Sequence, residues 1–485
     1  MPRTPSRWLP LALLAAAALW VRCGDLGARP MHADEANQAV KAGELLESGR
    51  YAFDPGDHHG PLLYYAALPV AWLRGQHTLE GLDEVTVRLV PALAGAAAVL
   101  LLGALAGPLG AWPAFMAAAF LAVSPPAVYY SRYFIQETLL ATLTLALLVS
   151  ARAWWASGRL RWALLGGACA GLMQATKASA PLLWALSLLA LLAAGPLPRL
   201  AGPRGPRVGL LLAAAAGLGV ASLFYSSFGA HPSGLLDAMG TYRFAASRLG
   251  SGDTGHEKPW VYFLRLLTWQ RSGGLVFEQA GFCVLALAGA GVAVACGDRL
   301  LRWSACYAAL LLAVLSAVPY KTPWHVVHLV PPLALLAAGA LGRLSRAPLG
   351  RVLSASAALL VLGLLAFQMR RATRSYASDA RNPYAYVHSS PDVLDFRARA
   401  SDALARDPRG VVRVISEEYW PLPWYLRGLG RVGYWTAPPA DCDGALVIAS
   451  AGLAEAVQAR LHGSYRRSYL GLRPGFACVI FTPEP

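Results

Sequence analysis

The sequence is poor in charged residues and lacks several motifs that carry well-known chemistry. Only 14% of its 485 residues are charged, and 27 residues are acidic. It contains no Walker loop, no GxGxxG before a helix, no GxSxG and no CxxC pair. An ATP-driven pump and a hydrolase with a nucleophile elbow are therefore unsupported. No inverted repeat with paired broken helices is visible, which disfavours a secondary transporter.

Apolar residues dominate the composition instead. They make up 56% of the chain, and the mean hydropathy is +0.44. The apolar runs are too many and too long for a soluble core, which indicates an integral membrane protein with helical spans rather than a β-barrel. The first run, after the basic start MPRTPSR, is interpreted as an uncleaved span rather than a signal peptide.

About eleven transmembrane helices are predicted. The candidate spans lie near residues 8–24, 87–107, 111–124, 137–152, 162–176, 181–196, 208–225, 280–297, 303–318, 325–342 and 352–369. We expect a transmembrane domain at residues 1–369, with a first outer loop at 25–86 and a long outer loop at 226–279. Residues 370–485 form the second predicted domain.

The arginines indicate the orientation of these spans. If the N-terminus is cytoplasmic, the inner connections contain one carboxylate, Asp298, among many cations. The cations are Arg3, Arg7, Arg152, Arg159, Arg161, Arg199, Arg204, Arg207, Arg299, Arg302, Arg343, Arg346 and Arg351. This pattern obeys the positive-inside rule and accounts for the formal charge of +15 without nucleic acid. It predicts a multi-pass protein of the plasma (inner) membrane with an extracytoplasmic C-terminal domain.

The first outer loop holds an acidic pair, Asp34 and Glu35. A helix is predicted from Asp34 to about Ser48, with Gly49 at its stop. Asp34 is either an N-cap or first-turn acid of this helix, or, with Glu35, a carboxylate for general base catalysis. Adjacent residues on a helix point in different directions, so at most one of the two faces a reaction.

The same loop continues with two histidines and several aromatics. His58 and His59 are candidate substrate-binding residues, and His58 with Asp34 could hold a divalent cation, although no recognised ligand spacing is present. Tyr64 is a candidate site residue. It also suits an aromatic belt at the membrane interface.

Four charged residues of later outer segments are further candidates. Arg132 and Glu137 lie in the second outer loop, where interfacial anchoring and a favourable helix-dipole acid are the alternative interpretations. Lys177 and Lys321 are cations on the outer side, where the orientation rule does not require them. Each suits a phosphate, and anchoring to lipid headgroups is the alternative.

The C-terminal domain has a different pattern from the spans. Short strands are predicted at 411–416, 445–450 and 476–482, alternating with helical segments, which indicates a small α/β domain. Aromatics at 419–435 suit sugar rings or docking to a membrane. Cys442 and Cys478 could pair in an oxidising compartment, and sequence alone leaves this open.

Several motifs together resemble a known superfamily. The acidic pair after the first span, the acid that closes the second loop and the outer soluble domain resemble the GT-C glycosyltransferases, which include dolichyl-phosphate-mannose protein mannosyltransferases and the lipid A aminoarabinose transferase. More narrowly, HADEANQAV, YAFDPGDHHGPLLYY, SPPAVYYSRYFIQE, PYKTPW, NPYAYVHSSPDV and YWPLPWYLR are similar to the flippase-activity-associated family. The likeness extends almost from end to end.

The resemblance implies a glycosyltransferase that uses a polyprenyl-phosphate sugar. Asp34 then corresponds to the catalytic base, Glu35 to its companion and Glu137 to the acid closing the second loop. Relatives of the narrower family carry an acid after the TK pair, where this chain has Ala178. Transfer to a hydroxyl of a protein, lipid or glycan would invert the anomeric carbon.

Two other functions are compatible with the sequence. A non-catalytic accessory or component of a lipid-linked sugar flippase would tolerate Asp34→Asn, and a structural scaffold would be insensitive at Asp34, Glu137 and Lys177. The abundance of Ala, Arg, Leu and Gly points to a bacterial source of high GC content. Undecaprenyl phosphate would then be the expected carrier.

Overall fold

The computed structural model describes residues 8–56, 59–196, 200, 206–250 and 256–484 of the chain. Helices dominate residues 8–370. In chain order the helices are α1 (Trp8–Cys23), α2 (Ala33–Ser48), α3 (Leu62–Leu73), α4 (Glu84–Ala106), α5 (Ala111–Val123), α6 (Pro125–Tyr130), α7 (Gln136–Ser157), α8 (Leu160–Thr176), α9 (Ala180–Ala193), α10 (Pro206–Tyr225), α11 (Gly234–Gly250), α12 (Tyr262–Thr268), α13 (Ala280–Cys296), α14 (Arg299–Ala317), α15 (Val330–Leu344), α16 (Pro348–Arg370), α17 (Val393–Arg406), α18 (Leu422–Tyr425) and α19 (Ala454–Gln458). A 3-10 helix, Pro323–His328, precedes α15.

The strands form two sheets. They are β1 (Trp269–Ser272), β2 (Leu275–Glu278), β3 (Val412–Ile415), β4 (Val432–Trp435), β5 (Leu446–Ser450), β6 (Tyr465–Arg473) and β7 (Phe476–Pro483). β1 and β2 form an antiparallel hairpin. The other five strands form a mixed sheet in the order β4-β3-β5-β7-β6, in which β3 is parallel to β4 and β5. β7 runs antiparallel to β5 and β6.

The predicted fold class is confirmed. Each predicted span coincides with one of the helices α1, α4, α5, α7 to α10 and α13 to α16. Among the described residues, six helices are long and apolar enough to cross a membrane, by length and composition, and several shorter helices are also apolar. The three predicted strands match β3, β5 and β7 within one residue at each end. The chain is thus a polytopic helical membrane protein with a C-terminal α/β domain.

One apolar helix was not expected from the sequence. Residues 62–73 fall within the predicted first loop, and the structure has α3 there. Its sequence, LLYYAALPVAWL, is only 12 residues long and contains Pro69. A run of this length is too short to be recognised as a span from hydropathy.

The chain divides into two compact units. Unit 1 comprises residues 1–24, 50–66 and 88–376, and unit 2 comprises 25–49, 67–87 and 377–485. Unit 1 therefore contains the membrane-spanning helices, with α4 entering it at residue 88. Unit 2 combines the C-terminal domain with α2 and with the segment that leads into α4.

Two arginines link helix ends in unit 1. Arg22, at the end of α1, is 1% exposed and donates to the carbonyls of Leu121 and Ala122 near the end of α5, at 3.2 and 3.1 Å. Arg132 Nη1 donates in turn to the carbonyls of Arg22 and Gly24, at 2.9 and 2.6 Å. The last carbonyls of a helix have no intrahelical partner, so these guanidinium groups satisfy both ends and complement both helix dipoles.

Unit 2 has its own hydrophobic core around the central strand β5. All five residues of β5 are buried, as expected for a strand covered on both faces. A cluster of buried side chains packs with it. The cluster consists of Ile415, Cys442, Val447, Ala449, Ala454, Val457, Val479 and Phe481. Cys442 and Cys478 are both buried free thiols, and burial raises the pKa of Cys478 to about 12.

Close helix packing in unit 1 depends on glycines of α8 and α10. A Cβ at Gly167 would overlap the carbonyl oxygen of Ala213, and one at Gly171 would overlap that of Gly217. Gly167 and Gly171 are four residues apart, which is the small-xxx-small spacing of closely packed membrane helices. Gly219, also on α10, has open space where its Cβ would be.

We therefore expect Gly167→Ala to destabilise the protein. Overpacking of this kind costs about 1–3 kcal/mol, and the thermal unfolding midpoint in detergent should fall. Gly219→Ala is the matched control, because alanine there improves helix propensity without a clash. Equal midpoints for the two variants would show that the α8–α10 contact does not limit stability.

Candidate active site

The first turn of α2 carries the acidic pair. The N-cap is His32, not Asp34, because His32 Nδ1 accepts the N–H of Asp34 at 3.0 Å. Glu35 completes a capping box by accepting the N–H of His32 at 3.1 Å. Asp34 is thus a first-turn acid of α2 and not its N-cap, and its role as a general base stays a prediction. The predicted helix and its stop at Gly49, with φ 69°, are confirmed.

Asp34 and Glu35 have opposite environments. Glu35 is fully buried and forms an ion pair with Arg29, whose Nη2 lies 3.1 Å from Oε2 and 3.2 Å from Oε1. The Asp34 side chain is 51% exposed, and its Oδ2 lies 3.9 Å from His32 Nδ1. The expected divergence of the pair is therefore present. Glu35 is neutralised and immobilised, whereas the Asp34 carboxylate is accessible.

Residues of the C-terminal domain surround this turn within unit 2. His32 Nε2 lies 3.1 Å from the Tyr386 carbonyl, and the Met31 N–H donates to the Tyr425 hydroxyl at 2.7 Å. The His388 ring lies edge-on to the His32 ring, with centroids 6.0 Å apart. Burial, followed by the nearby Arg29 charge, holds the pKa of His388 well below its usual range. His388 is therefore neutral near pH 7.

A second polar group lies in unit 1. Lys177, which caps α8, is ion-paired with Glu137, which is in the first turn of α7 and 2% exposed. His325 Nε2 is 3.5 Å from Lys177 Nζ and 3.9 Å from Glu137 Oε1. Three segments distant in sequence thus meet at one point. An ammonium has three donors, so Lys177 keeps hydrogen-bonding capacity beyond its bond to Glu137.

The other predicted site residues have different surroundings. Lys321 is 2% exposed, and its Nζ donates to the Val318 carbonyl. Tyr64 is fully buried, with its ring 5.0 Å from that of Tyr51. His59 is partly buried, and His58 lies outside the described residues, so metal binding by His58 and Asp34 remains a prediction.

Three residues of these groups were missed by sequence reasoning. Arg29 lies in none of the motifs singled out from the sequence, His325 directly follows PYKTPW, and His388 lies within NPYAYVHSSPDV. Arg29 had a usable signal, since it precedes the acidic pair by only six residues. The partners of His325 and His388 are distant in sequence, and no local pattern indicates them.

Comparisons with known proteins bear on the fold of the chain. The family model described as dolichyl-phosphate-mannose-protein mannosyltransferase matches residues 65–222. No curated protein matches. Two structures of ArnT from Cupriavidus metallidurans are similar at 17% identity. The match to the apo state covers 99% of this chain and 98% of the ArnT chain, with a TM-score of 0.69. The match to the structure bound to undecaprenyl phosphate covers 98% of this chain and 97% of the ArnT chain, with a TM-score of 0.67. An Archaeoglobus fulgidus oligosaccharyltransferase tethered with an acceptor peptide is 14% identical. That match covers 98% of this chain and 74% of the oligosaccharyltransferase, with a TM-score of 0.58.

The architecture and these likenesses define the class of the protein. It is a multi-pass membrane protein with the fold of the GT-C glycosyltransferases. The resemblance seen in the sequence, to the group of protein mannosyltransferases and ArnT, is thereby confirmed.

The buried pair of Lys177 and Glu137 gives a stability prediction. Lys177→Met leaves the Glu137 carboxylate buried without its cation, and breaking such a pair costs about 3–5 kcal/mol. Adding Glu137→Gln removes the stranded charge, so the double variant should recover part of the loss. The measurement is the thermal unfolding midpoint of both single variants and the double variant.

The exposed pair Arg467 and Glu455 provides the control. Its atoms are 3.0 Å apart, but the Glu455 side chain is 84% exposed. Arg467→Met should therefore cost about 0–1 kcal/mol. If Lys177→Met were as mild as this control, the pair in unit 1 would not be desolvated in the membrane.

Proposed function

We propose that the protein is a glycosyltransferase that takes a sugar from a polyprenyl phosphate at the outer membrane face and transfers it, with inversion, to a hydroxyl acceptor. The observation that carries this is the separation of the acidic pair. Glu35 is buried in an ion pair with Arg29, so Asp34 is the accessible carboxylate of the acidic pair. The GT-C fold supports it, as does the undecaprenyl phosphate bound to one ArnT structure.

The proposed chemistry is a single displacement. Asp34 accepts the proton of the acceptor hydroxyl while the oxygen of that hydroxyl bonds to the anomeric carbon. The bond from that carbon to the phosphate oxygen breaks, and the polyprenyl phosphate departs with the electron pair. A phosphate leaves readily, so one base and no general acid are required.

Lys177 is the strongest candidate for the cation that stabilises the departing phosphate. Arg132 Nη1 and Lys321 Nζ already donate to backbone carbonyls. Lys177 is held by Glu137, and its ammonium has remaining donors for phosphate oxygens. Glu137 in this proposal orients Lys177, and His325 is the third member of the group.

The proposed orientation puts the C-terminal domain outside the cytoplasm. The arginine-rich connections support this, because they contain one carboxylate, Asp298, among many cations, as the positive-inside rule expects of cytoplasmic connections. Alkaline phosphatase fused after residue 484 should be active in a bacterial host, whereas a fusion at Ser345, next to Arg343 and Arg346, should be inactive. The reverse pattern would refute the orientation.

The transfer assay is the decisive test of function. Purified protein in lipid is given radiolabelled sugars on polyprenyl phosphate, and we expect transfer or slow donor hydrolysis. Asp34→Asn removes the base, so turnover should fall at least about 100-fold, the lower range for general base catalysis. Glu44→Gln is the matched control, because Glu44 is an exposed acid of the same helix.

The assay also distinguishes the alternative. If wild type and Asp34→Asn bind the donor equally and neither consumes it, the glycosyltransferase proposal fails. An accessory or component of a lipid-linked sugar flippase would then be favoured. Retention of the anomeric configuration in the product would leave the enzyme class intact but exclude the single displacement.

A further inference from the structure

The position of the Asp34 carboxylate depends on the backbone of its own turn. Among the residues that the structure describes, none donates a hydrogen bond to this carboxylate, and His32 Nδ1 lies 3.9 Å from its Oδ2. An aspartate side chain is short and has two torsion angles, so its carboxylate stays close to its own backbone. Whatever fixes the N-terminus of α2 therefore largely fixes where Asp34 reaches.

Among the described residues, at least four hydrogen bonds hold that N-terminus, and two of these come from the C-terminal domain. The capping box provides the local bonds, from the Asp34 N–H to His32 and from the His32 N–H to Glu35. The long-range bonds are from Met31 to the Tyr425 hydroxyl and from His32 to the Tyr386 carbonyl. All these residues lie within unit 2.

The partners of His32 define its protonation pattern. Its Nδ1 accepts a backbone N–H and so carries no proton. Its Nε2 therefore carries the proton and donates to the Tyr386 carbonyl. One imidazole thus connects the cap of the helix to the C-terminal domain.

We propose that His32 and Tyr425 are positioning residues of the transfer reaction, through which the C-terminal domain holds the first turn of α2 and aims Asp34. This inference rests on the proposed function for Asp34. It gives the C-terminal domain a role in catalysis even if none of its own residues contacts the sugar. The neutral, buried His388 supports the arrangement, because it fills the space beside His32 and Arg29 without adding a charge.

Removal of single groups tests the proposal. Tyr425→Phe deletes only the hydroxyl that receives the Met31 N–H, and a displacement of about 1 Å at a reacting group lowers the rate about 100-fold. We expect kcat to fall by about 10- to 100-fold while KM for the donor stays unchanged. Tyr469→Phe is the matched control, since Tyr469 belongs to the same domain and is 67% exposed.

His32 variants provide a rescue test. His32→Ala removes both the cap and the bond to Tyr386, so its kcat should fall at least as far as that of Tyr425→Phe. His32→Asn restores an N-cap acceptor and should recover activity relative to His32→Ala. A role in general stability alone would lower the unfolding midpoint of both variants without separating kcat from KM.

Hydrogen exchange separates failure of this inference from failure of the proposed function. Exchange at the amides of residues 33–36 should be faster in Tyr425→Phe and His32→Ala than in wild type, whether or not any sugar is transferred. If Asp34→Asn abolishes transfer but both positioning variants keep wild-type kcat, the inference is overturned and the proposed function stands. If wild type transfers nothing, the proposed function is refuted, and with it the positioning role in that reaction. If exchange at residues 33–36 is unchanged in the variants, the proposal that the C-terminal domain holds this turn is refuted as well.

Discussion

The buried ion pair between Arg29 and Glu35 determines which carboxylate of the acidic pair stays accessible. Removing two charges from water is costly, and the cost is offset only when the remaining donors and acceptors are also paired. Glu35 meets this condition, because it binds Arg29 with both oxygens and also receives the His32 N–H. This pairing commits Glu35 to structure. The chemically available carboxylate of the pair is therefore Asp34, one residue earlier on the helix.

The same principle governs the group in unit 1. Lys177 and Glu137 neutralise each other, so an anionic ligand does not meet an isolated cation there. Such a pair keeps the buried ammonium from lacking a counter-charge in the absence of ligand, which would be the more costly arrangement. In the proposed reaction, the ammonium would share its donors between Glu137 and the phosphate of the sugar donor. The bound geometry would then depend on Glu137 as much as on Lys177.

Local sequence patterns predicted much of the fold because the bilayer constrains them strongly. Every backbone polar group of a span must be satisfied within the helix, so an apolar run of sufficient length can form little else. The helix from Ala33 to Ser48 was predictable for another local reason, its stop at Gly49. The helix α3 was not predicted, because it has only 12 residues, contains Pro69 and lies within a segment read as a loop.

The candidate site was predictable only in part, and chain separation explains the limit. Asp34 and Glu35 are neighbours, and helix geometry alone requires them to diverge. Arg29, which pairs with Glu35, is also near in sequence. The groups that hold this turn from outside are brought in by tertiary structure, as with Met31 and Tyr425, which are 394 residues apart in the chain. The imidazole of His32 connects these two scales, since its Nδ1 serves the helix and its Nε2 the distant domain. A sequence pattern can single out the acidic pair, but only the folded chain shows which distant groups hold its turn.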